Sequence, residues 1–309
     1  MVMVSGCALP GNSGQDTGTK AAADTDESAV VDYTCIANEG SQEKIYVILK
    51  NYHGDYWKKV IQGVTEAAEQ IDEAVYLGGI DNETDVSGQI SLIEEAKQQG
   101  ADGILLAPAN SNTLVESCQE IKNQNISLVL IDSSINSDAY DTCYMTGNME
   151  AGQIAAREML DMLLEQGNTD QDPLEVGILL SSDSSQAMVN RVSGFLEYWA
   201  NYAPEKWTIN QDIRLNGGDM ENAQANVSEL LRNNSHIKGL YGCNNTSTKG
   251  IAAVLMRAAR KDIVMAGFDL AEETASLIRN PDYHGITLLQ KQDQMAYEGM
   301  LSLDRQIRG

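Results

Sequence analysis

The segment Ser127-Leu128-Val129-Leu130-Ile131-Asp132 is a short, largely apolar run that ends on a carboxylate. Such runs are typical of strands that are buried on both faces of a parallel sheet. Three further apolar runs share this layout and end on Asn244, Asp269 and Gln290. Because only the carboxyl end of such a strand opens into a crevice, we expect these four polar side chains to line a ligand site.

Short apolar runs alternate with amphipathic segments from about residue 45 to the end of the chain. Strand followed by helix, repeated, predicts parallel sheets with right-handed crossovers. The chain has 309 residues, which is long for one core. At Thr146-Gly147-Asn148 an apolar strand meets a flexible glycine and then a new helix. We therefore predict an α/β protein with two Rossmann-like lobes, each with a parallel sheet, joined by a hinge.

The predicted division places residues 44–147 and 291–309 in an N-terminal lobe and residues 148–290 in a C-terminal lobe. Two of the predicted elements are a strand at Trp207–Ile213 and a helix at Asn110–Asn123. The segment from Ala8 to about Glu43 is rich in Gly, Ser, Thr, Ala and Asp. We therefore expect residues 7–43 to form a disordered linker.

The start of the chain resembles the signal-cleavage motif of bacterial lipoproteins. In Val4-Ser5-Gly6-Cys7, small residues precede a cysteine behind an apolar stretch. The resemblance implies that residues 1–6 are a signal-peptide remnant and that Cys7 is lipidated. The alternative is a chance Gly-Cys pair.

Charge and composition exclude several classes of function. Acidic residues outnumber basic ones 45 to 21, for a net charge of -24, and such a surface repels nucleic acid. No run is long and apolar enough to span a bilayer.

The scattered histidines and cysteines match no metal site, catalytic triad or redox motif, and no cofactor loop is found, so no cofactor and no enzymatic activity are expected. The cysteines at 35, 118, 143 and 243 are expected to be free thiols, although a disulfide between two of them stays open.

Several short motifs follow one another in a recognisable order: Tyr56-Trp57, Gly103 to Pro108, Leu130-Ile131-Asp132, Gly147-Asn148, Arg191-x-x-Gly194-Phe195, Gly267-Phe268-Asp269 and Gln290. From Ile45 to Gly309 the chain resembles the type I periplasmic binding proteins, specifically the ribose- and galactose-binding group. The resemblance implies two hinged lobes that capture a small molecule and present it to a membrane permease.

The resemblance also implies which residues contact the ligand. Two aromatics, two acids and two amides match the family's sugar contacts, namely Tyr56, Trp57, Asp132, Asn244, Asp269 and Gln290. Polar residues near the same strand ends are further candidate contacts, namely His53, Asp55, Ser133, Ser185 and Gln186.

The chain departs from the ribose-binding pattern at informative positions. Ser133 and Val189 stand where that pattern has arginines, and Gly218 stands where it has another aromatic residue. Two acids without both arginines leave a negative site, which favours a sugar-like or amine-bearing ligand over an anionic one. Lys50 either offsets one of these charges or lies at the surface. Arg191 is expected to brace its helix or pair with an acid.

Each candidate has a plainer structural interpretation. Asp269 precedes a predicted helix and would serve only as its N-cap, and Asn244 would bond only to backbone. Asp132 would close a turn, and Gln290 would bond across the hinge. One of the two aromatics is expected to pack into the core.

The function that these observations favour is a lipid-anchored solute-binding protein of an ABC importer, a monomer at the outer face of the bacterial cytoplasmic membrane, with a sugar or sugar-like ligand. The alternative is a sensor subunit that signals to a histidine kinase or chemoreceptor. A LacI-type repressor core is disfavoured because a cysteine and an acidic segment, and no basic helix-turn-helix, precede the first strand.

Overall fold

Two mostly parallel six-stranded sheets organise the chain in a computed structural model that describes residues 30–309. The predictions for Cys7 and for residues 1–29 lie outside the described residues. The first sheet has the order β1-β3-β2-β4-β5-β6, and the second has the order β12-β11-β10-β7-β8, with β9 paired to β7. Both sheets are covered by helices, as buried parallel strands require.

The first half of the chain supplies the elements of the first sheet. They are β1 (Val30–Ala37), β2 (Lys44–Leu49), α1 (Gly54–Ala68), β3 (Ala74–Ile80), α2 (Val86–Gln98), β4 (Gly103–Leu106), α3 (Val115–Asn123), β5 (Ser127–Ile131) and β6 (Thr142–Tyr144).

The second half supplies the elements of the second sheet and a final helix. They are α4 (Asn148–Glu165), β7 (Leu174–Leu180), α5 (Gln186–Tyr202), β8 (Trp207–Ile209), β9 (Arg214–Leu215), α6 (Met220–Asn233), β10 (Ile237–Gly242), α7 (Asn245–Arg257), β11 (Val264–Phe268), α8 (Glu272–Arg279), β12 (Gly285–Leu288) and α9 (Gln292–Arg308). Helix α9 returns to the first sheet, where it packs on α1 and on β4, β5 and β6. The chain therefore crosses between the sheets after β6 and after β12.

The predicted linker is wrong over residues 30–37, which form an edge strand. β1 pairs antiparallel with β3. The Tyr33 ring packs edge-on against Tyr46 at 4.8 Å, and its hydroxyl donates to the Leu92 carbonyl at 2.8 Å. These contacts reach far along the chain, so local composition gives little sign of them.

Two other predicted elements differ at their bounds. The strand predicted at Trp207–Ile213 ends at Ile209 as β8, because the Asn210 side chain accepts from the Asp212 N–H at 3.0 Å and forms a turn, and β9 begins only at Arg214. The helix predicted from Asn110 begins only at Val115. Before it, the side-chain oxygen of Asn110 accepts from the N–H groups of residues 112 and 113, both at 2.9 Å, and stabilises a turn in front of the helix.

Helices α4 and α5 approach each other closely at two glycines. A Cβ at Gly152 would lie 2.1 Å from the Arg191 carbonyl, and one at Gly194 would lie 2.0 Å from the Met149 carbonyl. Only glycine permits this separation of the two backbones. The crossing fixes the position of Arg191 beneath the end of the second sheet.

Candidate ligand-binding cleft

A cavity of about 320 Å³ lies where the carboxyl ends of the two sheets face each other. Its lining follows β2, β3 and β5 on one side and β7, β10 and β11 on the other. Small-molecule sites typically enclose roughly 300–1,000 Å³. The cavity therefore has room for a compact ligand of about monosaccharide size.

All six residues carried over from the family pattern line this cavity: Tyr56, Trp57, Asp132, Asn244, Asp269 and Gln290. They come from both halves of the chain, and the fold brings them together. Their contact with a ligand stays a prediction.

Asp132 and Asp269 occupy equivalent places in the two sheets. Asp132 follows β5 and Asp269 follows β11, and each of these strands stands one position from the edge on its side of its sheet. Both have left-handed backbones, with φ of 68° and 65°, and both are buried, at 7% and 3% exposed. A left-handed turn at a residue other than glycine costs free energy and is found preferentially at functional sites.

Lys50 is buried in the cleft, where it pairs with Asp132. Its ammonium lies 2.6 Å from one Asp132 oxygen, and the Tyr56 hydroxyl donates to the other at 2.6 Å. Burial alone would raise the pKa of Asp132, but the charge and hydrogen bond of Lys50 and the bond from Tyr56 hold it below its usual value. Asp132 is therefore an ionised acceptor, and the surface alternative for Lys50 is wrong.

Asp269 does not cap the helix that follows it. The N-cap position of α8 is Ala271, which makes no side-chain cap bond. The Asp269 carboxylate instead accepts from the Gln290 amide at 3.2 and 3.1 Å. Burial raises the pKa of Asp269 to about 6, and the Arg191 charge and the Gln290 bond offset this rise only in part.

Arg191, which the sequence placed as a helix brace or as the partner of an acid, is a cleft residue. Its guanidinium donates to the Asn148 side chain and the Cys243 carbonyl, both at 2.8 Å, and to the Gln290 side-chain oxygen at 2.5 Å. Its carbon lies 3.9 Å from the centre of the Phe268 ring. Arg191 braces its surroundings and also lines the cavity.

Gln290 links the hinge to the floor of the cleft. Its oxygen accepts from Arg191 and from the Thr146 hydroxyl at 2.8 Å, while its nitrogen donates to Asp269. The hinge interpretation and the position in the cleft therefore both describe this side chain.

The adjacent amides Asn244 and Asn245 have different roles at the start of α7. Asn244 is the N-cap, and its side-chain oxygen accepts from the Ser247 N–H at 3.1 Å. Asn245 is 8% exposed, lines the cavity, and its side-chain nitrogen has no hydrogen-bond partner within residues 30–309. The sequence prediction named only the first of these amides.

The aromatic residues Tyr56 and Trp57 belong to the hydrophobic core and also line the cavity. Tyr56 and Trp57 are 8% and 5% exposed, and their rings meet edge to face at 5.1 Å. The Lys50 ammonium lies 5.9 Å from the centre of a Trp57 ring. Both side chains are buried and packed against each other, so together they present an apolar surface to the cavity.

The further candidates divide between the cavity and its flanks. His53 lines the cavity and lies 2.9 Å from Asp81. Asp55, Ser133, Ser185 and Gln186 do not line it. Asp55 instead lies 3.7 Å from Lys249 of the second half.

The three remaining candidates join the two lobes beside the cavity. The Ser133 hydroxyl lies 3.3 Å from that of Ser185, and it accepts from the Ala187 N–H at 3.1 Å. The Gln186 N–H donates to the Ser111 hydroxyl at 2.9 Å. The two serines are buried between the lobes, whereas the Gln186 side chain is half-buried and donates to Asn190 of its own helix at 2.7 Å. Contact of these three side chains with a ligand stays a prediction.

Several lining residues escaped the sequence prediction: Asn51, Asp81, Asn82, Glu83, Ser181, Asp219, Thr246 and Lys249. Those after β3 and β7 follow strand ends, so the rule that found Asp132 would also have found them. Within residues 30–309, no group of three or more His, Cys, Asp or Glu side chains could hold a metal ion.

Two further observations concern the described residues alone. The cysteines at 35, 118, 143 and 243 are free thiols. None of the helices in residues 30–309 combines the length and apolarity that a membrane crossing requires.

Comparison with known proteins agrees with this geometry. The sequence profile of the periplasmic binding protein domain matches residues 45–309. The chain belongs to this family. The D-apiose import binding protein of Actinobacillus succinogenes is 25% identical over 265 residues, which cover 85% of this chain and 82% of that protein. The D-allose-binding periplasmic protein of Escherichia coli is 24% identical, with 79% and 81% covered.

Solved structures of the family share the fold. An ABC transporter solute-binding protein of Agrobacterium vitis with bound D-fucose has a TM-score of 0.79 at 23% identity, covering 86% of this chain and 89% of its own. The periplasmic component of an ABC-type sugar transport system from Hahella chejuensis has a TM-score of 0.78 at 24% identity, covering 86% and 94%. The predicted fold class and family are thereby confirmed.

Proposed function

We propose that this protein is an extracytoplasmic solute-binding protein that captures a sugar or sugar-like molecule between its lobes and delivers it to the permease of an ABC importer. One observation carries the proposal: polar side chains at strand ends of both sheets converge on one cavity. The relatives that bind D-apiose and D-allose support it.

The chemistry of the lining suits such a ligand. Ionised Asp132 accepts hydrogen bonds from hydroxyls, and the rings of Tyr56 and Trp57 offer an apolar surface to the C–H face of a sugar. Asn244, Asp269 and Gln290 provide donors and acceptors from the opposite side. We assign these six residues as ligand contacts and place no reaction in the cleft.

Closure is the mechanism that follows from two lobes sharing one site. A ligand that contacts both lobes does so only in the closed state, so binding shifts the open–closed equilibrium by its differential affinity. A permease can then distinguish loaded from empty protein by the relative position of the lobes.

We further propose that the lobes comprise residues 44–147 with 291–309 and residues 148–290, and that the protein is a monomer. Lipidation of Cys7 would hold it at the outer face of the bacterial cytoplasmic membrane, with the segment after it as a tether. Changing Cys7 to Ser in the full-length protein should move it from the membrane to the soluble fraction. Retention at the membrane would argue against a lipid anchor.

A thermal-shift screen tests the binding function directly. Pentoses, hexoses, oligosaccharides, polyols, amino sugars and nucleosides form the panel, and at least one sugar-like compound should raise Tm. Uptake of that compound in a deletion strain then separates import from sensing. Lost uptake supports the importer, whereas intact uptake with a lost transcriptional response supports the sensor alternative.

A further inference from the structure

The charges that line the cavity do not balance. Five carboxylates line it, namely those of Asp81, Glu83, Asp132, Asp219 and Asp269. Only three permanently cationic side chains line it, namely Lys50, Arg191 and Lys249. An unpaired charge costs free energy only where it is buried away from water. The burial and the partners of each charged group therefore decide whether the imbalance is costly.

Two of the three cations are paired with carboxylates. Lys50 pairs with Asp132 at 2.6 Å, and Lys249 lies 3.7 Å from Asp55. The guanidinium of Arg191 donates to two side-chain oxygens and one carbonyl, none of them a carboxylate. Two of the acids are also accounted for: Asp81 lies 2.9 Å from His53, and Asp219 accepts from the Asn222 N–H as the cap of α6.

Glu83 and Asp269 remain without a cationic partner. Within residues 30–309, no ion pair within 4.0 Å involves either carboxylate, although they are only 8% and 3% exposed. Glu83 faces the second lobe, since a Cβ at Gly218 would lie 3.4 Å from its carboxylate. Burial raises the pKa of both groups, and the charges of Lys50 near Glu83 and of Arg191 near both offset this rise only in part. Two buried carboxylates of this kind are costly unless something in the cavity compensates them.

An independent feature of the same cavity requires a different partner. The side-chain nitrogen of Asn245 is a donor with no acceptor among the described residues, and Asn245 is 8% exposed. A buried, unpaired donor that lines a cavity calls for an oxygen on whatever occupies it. The cavity therefore calls for a ligand with both a positive group and a neutral oxygen.

We infer that the ligand is a polyhydroxy compound bearing an amine, such as an amino sugar or an amino polyol. Its ammonium pairs with Glu83 or Asp269, and a hydroxyl or ring oxygen accepts from Asn245. An ammonium compensates a buried carboxylate more strongly than a neutral hydroxyl does, since charge-assisted hydrogen bonds are the stronger class. This inference rests on the proposed binding function and specifies its ligand.

Titration calorimetry at pH 7.5 with matched sugars tests the inference. The panel pairs D-glucosamine, D-galactosamine and D-mannosamine with their parent hexoses and their N-acetyl forms. We expect at least one amine to bind about tenfold or more tightly than its parent and its N-acetyl form, a difference of about 1.4 kcal/mol. A parent hexose or an N-acetyl form that binds as tightly as the best amine would overturn the inference and leave the binding function intact. Absence of binding across this panel and the broader sugar screen would overturn both.

Charge-neutral variants identify the partner of the ammonium. Glu83→Gln and Asp269→Asn keep the size of each side chain and remove its charge. One of them should abolish the preference for the amine over its parent, whereas Glu66→Gln, which removes an exposed charge on α1, should keep it. Thermal unfolding of each variant establishes that it is folded. A preference that persists in both cleft variants contradicts the assignment.

Discussion

The Ser133 hydroxyl of one lobe accepts a hydrogen bond from the backbone N–H of Ala187 in the other, at 3.1 Å. The Ser111 hydroxyl accepts from the neighbouring N–H of Gln186 at 2.9 Å. Both N–H groups belong to the first turn of α5, whose own N-cap residue, Ser185, makes no side-chain cap bond. The N-terminus of α5 is thus capped by the opposite lobe, and opening the cleft would return these groups to water.

Ser133→Ala should weaken ligand binding without removing any ligand contact. A lost cap costs about 1 kcal/mol, which here falls on the closed state and corresponds to about a fivefold rise in Kd. Titration calorimetry with the ligand from the screen measures the change. Ser137→Ala is the matched control, because Ser137 bonds only to Ala139 within its own loop. Equal Kd values for Ser133→Ala and the parent protein would show that this contact does not bias closure.

Asp269→Asn should stabilise the ligand-free protein at pH 7.5 while reducing its thermal shift with ligand. The folded-state pKa of Asp269 is about 6, above the ordinary value of 3.8. The folded state therefore binds the proton more tightly, and this group's contribution to stability falls as pH rises from about 4 to about 6. The loss is at most about 3 kcal/mol, at about 1.36 kcal/mol for each pKa unit.

Urea unfolding at pH 5 and at pH 7.5 checks the sign of this effect. The unfolding free energy at pH 5 minus that at pH 7.5 should be larger for the parent protein than for Asp269→Asn. Identical differences in the two proteins would mean that Asp269 is ionised at both pH values.

Arg191→Met should destabilise the fold by about 3 kcal/mol or more. The change removes a buried cation, leaves the Asn148 and Cys243 oxygens without this donor, and leaves the Gln290 oxygen with Thr146 alone. Urea unfolding measures the loss. Arg214→Met is the control, since Arg214 pairs with Asp212 and Glu229 nearer the surface, where such pairs contribute about 1 kcal/mol or less. Similar losses in the two variants would show that the buried network adds nothing beyond an ordinary ion pair.

Tyr33→Ala should cost about 3 kcal/mol of stability if β1 belongs to the folded lobe. The variant loses the contact with Tyr46 and the bond to the Leu92 carbonyl. Hydrogen exchange gives a second measure, because strand amides that bond to β3 exchange slowly in a folded edge strand. If Tyr33→Ala leaves the free energy of unfolding unchanged and the amides of residues 34–37 exchange rapidly, this segment belongs to the linker and not to the folded lobe.

Most of the fold could be read from the sequence because buried parallel strands are apolar throughout and their connecting helices are amphipathic. The apolar run that precedes Asp132, for example, is the strand Ser127–Ile131 in the structure. The edge strand β1 was missed because it follows an acidic, Ala-rich stretch and is held by a strand more than thirty residues away. Local pattern carries no information about such pairing.

The cleft was predictable to the extent that its residues follow strand ends. Asp132, Asn244 and Asp269 satisfy that rule, and each lines the cavity. The burial of Lys50 and Arg191 was not predictable, because whether a charge is buried depends on which partner the fold brings to it. Sequence also does not distinguish a hydroxyl that contacts ligand from one that joins the lobes, as the Ser133 hydroxyl does.

The matched left-handed turns at Asp132 and Asp269 have a consequence for how selectivity can change. The two sheets repeat one strand order around these acids, which is what duplication of an ancestral half would leave. Each half has since acquired different neighbours for its acid, a lysine and a tyrosine on one side and a glutamine on the other. One lobe can therefore keep its contacts with a shared part of the ligand while mutations change the contacts that the other lobe makes. A new specificity can then arise through substitutions in one lobe alone.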